Sequence, residues 1–199
     1  MAKEKTEANG KRSPAGRENR PRLYRLTSIA LAAVIITVCS WITVPGVIPF
    51  TLQTMGVFLA LGLLGGVDGT IAIAVYVLLG LVGIPVFSGF RAGAGHLMGA
   101  TGGYIIGFLL SGLLYILLSA IKKPDKTLLK IIYMLAGLAV CYLFGTLWFA
   151  YVWSGASGGF LGALSVCVVP FIIPDLVKIA LAGVISDRVG KALEKSGLR

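Results

Sequence analysis

What most constrains this chain is a series of long, nearly uncharged apolar runs that follow one another from about Leu26 to Gly190. A helix needs roughly 17 to 25 apolar residues to cross a bilayer. Lipid offers backbone groups no water, so only helices or a closed barrel can span it. The runs are continuous rather than alternating with period two, which excludes the barrel. The expectation is an all-α integral membrane protein with six transmembrane helices. These lie near Leu26 to Val44, Leu52 to Leu64, Thr70 to Ile84, Tyr104 to Ala120, Leu128 to Val152 and Pro174 to Gly190.

The breaks between runs are equally informative. PGVIPFTLQT (Pro45 to Thr54) carries two prolines, GGVDG (Gly65 to Gly69) closes the second run, and IKKPDK follows the fourth. Pro85 to Gly103 is too rich in glycine for a regular helix. Trp153 to Pro170 reads as an outer loop with a short surface helix or as the start of a long broken sixth span, and Pro170 with Pro174 just beyond it favours the loop.

The formal net charge is +10, but its distribution argues against nucleic acid. Of 18 basic residues, eight precede the first span, a second group is Lys122, Lys123, Lys126 and Lys130, and a third is Arg188, Lys191, Lys195 and Arg199. Basic groups flanking apolar helices follow the positive-inside rule and put both termini on the cytoplasmic side. A nucleic-acid module needs a basic stripe on a folded face. Residues 1–22 read as a disordered basic tail that rests on anionic membrane lipid or serves only to orient the chain. Residues 23–190 form the membrane domain, and 191–199 a second basic tail. A cleaved signal peptide is not expected, since no small-residue cleavage site follows the first run.

Several chemistries are excluded. Cys39, Cys141 and Cys167 have no paired spacing, and His96 is the only histidine, so no metal site is expected. The glycine-rich stretch lacks the lysine and following Ser or Thr of a P-loop, so no nucleotide site is expected. No catalytic constellation is visible.

Asp175 and Lys178 stand out. They are an acid and a base three residues apart in the apolar run PFIIPDLVKIALAGV (Pro170 to Val184). That spacing puts both on one helix face. Pro174 suits the first helical position, which leaves Asp175 in the first turn, where the helix dipole favours a carboxylate. Ionisable residues at membrane depth mark a substrate or ion site by default. A salt bridge that only helps the helix pack is the competing reading.

In order along the chain, PFTLQT (Pro49 to Thr54), YVLLGLVGIPVFSGF (Tyr76 to Phe90), GATGGYIIGF (Gly99 to Phe108), the Gly145, Thr146 and Trp148 cluster, and PFIIPDLVK (Pro170 to Lys178) resemble the BioY family. These are the biotin-specific substrate-binding (S) components of energy-coupling-factor (ECF) transporters. The resemblance covers about Leu26 to Gly190. It implies a multi-pass protein of a prokaryotic cell membrane that captures biotin from outside. The chain itself would bind no cofactor. A transmembrane coupling protein and two cytoplasmic ATPase subunits would supply the energy, and the loaded component would reorient in the membrane. The small residues of the first span, Ser28, Ala32, Ala33 and Thr37, would be the docking face for the coupling protein, or else pack within the chain. The chain departs from the family at Ala100, where relatives usually have proline, and at GGVDG, where an acid stands in place of basic residues.

The resemblance also suggests roles in a mostly apolar pocket oriented by a few polar groups. Asp175 would accept a ureido N–H of biotin, and Lys178 would donate to the ureido oxygen. Trp148, Tyr104 and Phe87 would pack against the bicyclic body or simply against the protein. Gly102 and Gly103 would let backbone approach the ligand. Arg91 would attract the carboxylate at the loop mouth or face solvent and headgroups. Gln53 and Thr51 would bond the ligand or lock a lid loop. Competing functions are an S component for another vitamin or small carboxylate, a stand-alone proton-coupled carrier, and, with no nucleophile to support it, a membrane enzyme.

Overall fold

The computed structural model describes residues 15–46, 48–153 and 159–196. Its long helices are α1 (Ala15–Trp41), α2 (Gln53–Leu81), α4 (Gly102–Ile121), α5 (Thr127–Trp148) and α7 (Ile172–Lys195). Short helices α3 (Ala94–Leu97) and α6 (Gly159–Cys167) sit in the connections. A two-residue hairpin pairs β1 (Thr43–Val44) with β2 (Phe50–Thr51) in antiparallel register. Five helical stretches are long and apolar enough to cross a membrane.

The second of these stretches provides two crossings. Gly65 has φ +82 and ψ 177, a conformation open to glycine and closed to other residues, and it breaks α2 in the middle. The arms then run back along each other. Gln53 Nε2 donates to Tyr76 Oη at 2.9 Å, although a straight helix would hold those residues about 35 Å apart. A Cβ on Gly69 would lie 2.8 Å from Leu61 Cα, so glycine is what lets the two arms meet. Six membrane-crossing helices result, as the hydropathy pattern implies.

α1 packs along α2, α4 along α5, and α7 fits between α2 and α5. Phe58, Leu61, Tyr76, Met134 and Ile179 are buried where these helices meet. Leu78, Leu117 and Val177 are exposed on the outside, as lipid-facing side chains must be. Arg25 of α1 grips Asp68 with two bonds from Nε, at 2.8 and 2.9 Å, so the acid of GGVDG is tied to the first helix near the α2 turn.

Some boundaries differ from the sequence reading. α1 begins at Ala15, within the expected tail, because Ala, Arg and Glu are good helix formers; residues 1–14 lie outside the described residues. α7 continues to Lys195 through part of the expected C-terminal tail, of which 197–199 lie outside the described residues. α5 passes into a wide π turn (Phe149–Trp153). The stretch expected as an outer loop carries α6 and a 3₁₀ turn (Val169–Phe171), with 154–158 outside the described residues. The glycine-rich connection holds one helical turn, α3.

The small-residue face of α1 needs correction. Ala32, Ala33 and Thr37 are buried, and Ser28 is half-buried. The facing residue, Gly56, sits so close that a Cβ there would lie 3.1 Å from Ile36 Cα. These small residues serve the close approach of α1 and α2 within the chain. Leu31, Val34 and Val38 form the face that α1 turns outward.

Candidate functional site

α7 starts at Ile172, directly after the 3₁₀ turn, so Pro174 occupies the third helical position rather than the first. Its missing N–H is still one of the first-turn donors that have no partner inside a helix. Asp175 remains in the first turn. Both members of the acid–base pair are withdrawn from solvent, Asp175 at 4% exposure and Lys178 at 5%.

Every strong bond of the pair is internal. Lys178 Nζ donates to Asp175 Oδ1 at 2.7 Å and to the Thr51 carbonyl at 2.7 Å, and lies 4.0 Å from the centre of the Phe50 ring. Thr54 Oγ1 donates to Asp175 Oδ1 at 3.1 Å, and Tyr142 Oη to Oδ2 at 2.6 Å. Two charges at membrane depth are tolerable only when paired and hydrogen-bonded in this way. A carboxylate has about four acceptor positions, of which three are filled here, leaving one on Oδ2. Lysine has three donors, of which two are filled, and the third is left beside the Phe50 ring. The pair thus offers one free acceptor next to one donor held only by an aromatic face.

The pair borders an inner chamber of about 70 Å³, whose walls include Gln53, Tyr104, Phe108, Cys141 and Tyr142. Pro49, Ser88 and Thr101 also border a second, outer cavity of about 740 Å³, which Arg91 and His96 line. His96 stacks on Phe87 at 5.2 Å, and its Nε2 is 3.4 Å from Thr101 Oγ1. Burial, aided by the Arg91 charge, pulls the His96 pKa below its ordinary value.

Of the residues singled out from sequence, Asp175, Lys178, Tyr104, Gln53 and Thr51 meet at the inner chamber, and Arg91 lines the outer one. The remaining four border neither cavity. Phe87 is fully buried against Gly80 and lies edge-on to Tyr76 at 5.6 Å. Trp148 fills the space that a Cβ on Gly103 would need, and its Nε1 donates to the Gly99 carbonyl at 3.1 Å. A Cβ on Gly102 would overlap the Leu97 carbonyl. All four are engaged in close packing contacts within the protein. In the same way, Gly145 makes room for the Tyr104 ring, whose hydroxyl is 3.3 Å from Thr146 Oγ1.

Sequence reasoning missed Thr54, Tyr142, Cys141, Cys167 and Phe50. A signal for Tyr142 was present, since it lies one turn before Thr146 and so shares its helix face.

Known proteins resemble this chain over most of its length. The chain is 38% identical over 170 residues to a protein of Thermotoga maritima named biotin transporter BioY, covering 85% of this chain and 97% of that one. It is 38% identical over 162 residues to a probable biotin transporter BioY of Pyrococcus horikoshii, covering 81% and 93%. The fold matches the crystal structure of an S-component for biotin from an ECF-type ABC transporter with a TM-score of 0.78 and 30% identity, over 87% of this chain and 94% of that one. Since the BioY family model also matches residues 11–195, nearly the whole chain, this protein belongs to the BioY family.

Proposed function

We propose that this chain captures biotin and serves its uptake as the substrate-binding component of an ECF transporter. The observation that carries this reading is the buried Asp175–Lys178 pair, with its one free acceptor position beside one replaceable donor contact. A urea edge presents an N–H and a C=O side by side. Asp175 Oδ2 takes the N–H, and Lys178 turns its third N–H from the Phe50 ring to the ureido oxygen. Charge-assisted bonds of this kind are roughly twice as strong as neutral ones. The Tyr104 ring lies against the bicyclic body, Gln53 and Thr51 keep the chamber rim in register, and Arg91 draws the carboxylate toward the mouth.

The partners in this reading are a transmembrane coupling protein and two cytoplasmic ATPases. Both termini face the cytoplasm, the chamber opens to the outside of the cell membrane, and the chain performs no catalysis of its own. The test is uptake of labelled biotin by cells that lack their own biotin transporter. Cells carrying this chain with an ECF coupling module should accumulate biotin, and the same cells with ATPases unable to hydrolyse ATP should accumulate much less. Accumulation that ignores the ATPases but collapses with an uncoupler would point to a proton-coupled carrier instead.

A further inference from the structure

We infer that the outer cavity admits biotin joined through its carboxyl group to an amine, so that biotin amides such as the lysine adduct biocytin are ligands alongside the free acid. This rests on the biotin reading above. A head group held by Asp175 and Lys178 fills the inner chamber, and the residues shared by the two cavities, Pro49, Ser88 and Thr101, lead its tail outward. The space that receives the tail is about 740 Å³ against 70 Å³ for the inner chamber. A volume in the range of about 300–1,000 Å³ suits a whole small-molecule ligand. A carboxylate alone would leave most of it empty.

The walls are built for a larger group. Gly46, Gly89, Gly95 and Gly99 line the outer cavity without side chains, and a Cβ on Gly95 would meet nothing within 4 Å. The polar groups suit an amide as well as an acid. Thr43, also on this wall, has a buried hydroxyl with no hydrogen-bond partner among the described residues, and it can accept from an amide N–H. No carboxylate among the described residues pairs with Arg91, whose guanidinium can donate to an amide oxygen or to the carboxylate of the attached amino acid. Specificity is thus concentrated on the head group.

The experiment is competition by biotin and by biocytin against labelled biotin on the purified full-length protein, repeated with Gly95→Phe. Biocytin is expected within about tenfold of biotin, because an Arg91 contact at an open mouth contributes little. Gly95→Phe narrows the outer cavity, and the biocytin-to-biotin affinity ratio should fall by about tenfold or more through the steric clash. Biotin binding with biocytin weaker by over about a hundredfold, or an affinity ratio unmoved by Gly95→Phe, would overturn the inference while leaving biotin capture standing. If folded protein binds neither ligand, the biotin reading fails and this inference fails with it.

Discussion

Tyr142 of α5 donates its hydroxyl to Asp175 Oδ2 of α7 at 2.6 Å, on the opposite carboxylate oxygen from Lys178. The bond fixes the plane of the carboxylate and so the direction of its remaining acceptor position. Tyr142→Phe removes the bond and keeps the ring. A hydrogen bond to a charged group contributes about 1.5–3 kcal/mol, and part of that would be regained by water. Biotin affinity should therefore fall by roughly 5- to 30-fold in a protein that still purifies as a folded monodisperse species. An unchanged dissociation constant would remove Tyr142 from the site.

The close approach of α4 and α5 depends on Gly103, whose missing side chain is the space occupied by Trp148. Gly103→Leu forces a large group into a packed contact, and overpacking costs about 1–3 kcal/mol. The variant should melt several degrees lower in detergent, and because the wall also carries Tyr104, biotin binding should weaken with it. Wild-type melting would mean that the helices separate freely.

Asp68 and Arg25 give a contrasting case. Their bidentate pair ties α1 to the turn of α2, but the Arg25 side chain is 54% exposed. Exposed pairs contribute little to stability because water screens them. Asp68→Asn should shift the melting temperature only slightly and leave biotin affinity as it is. A loss of stability as large as that of Gly103→Leu would contradict this ranking.

His96 gives a pH dependence. Its pKa is lowered from 6.5 in the folded state by burial and by Arg91. The unfolded chain then binds its proton first as pH falls, so the stability contributed by neutral His96 is present above pH 6.5 and declines below it. Thermal unfolding of wild type and His96→Gln should show wild type losing more stability between pH 8 and pH 5. Parallel pH profiles for the two proteins would argue that His96 remains as solvated folded as unfolded.

Much of this architecture was legible in the sequence. The runs and their breaks predict the six crossings, down to the reversal at Gly65, because only helices satisfy the backbone in lipid and only glycine accepts that turn. Asp175 and Lys178 were conspicuous because charge is rare in such sequence. Thr54 and the two chamber cysteines were not, and Tyr142 was marked only by its one-turn spacing from Thr146. In a soluble helix, apolar periodicity separates inside from outside, but here Leu78 and Val177 on the lipid face are as apolar as Phe58 and Ile179 in the core. The pattern that would have assigned uncharged residues to the chamber is therefore absent. The same ambiguity hid the buried orientation of Ala32 and Ala33. Phe87 and Trp148 could not be assigned from sequence because an aromatic ring serves a wall and a binding surface equally well.

The central claim is that the acid–base pair holds the biotin head group, and calorimetric titration of biotin into the purified protein and into Asp175→Asn tests it most directly. The substitution keeps the volume and removes the acceptor charge. The account predicts tight binding to wild type in preference to other water-soluble vitamins, and an affinity lower by about 10- to 100-fold in a folded Asp175→Asn. Folded wild-type protein that ignores biotin, or a variant that binds it as well as wild type does, would contradict the claim.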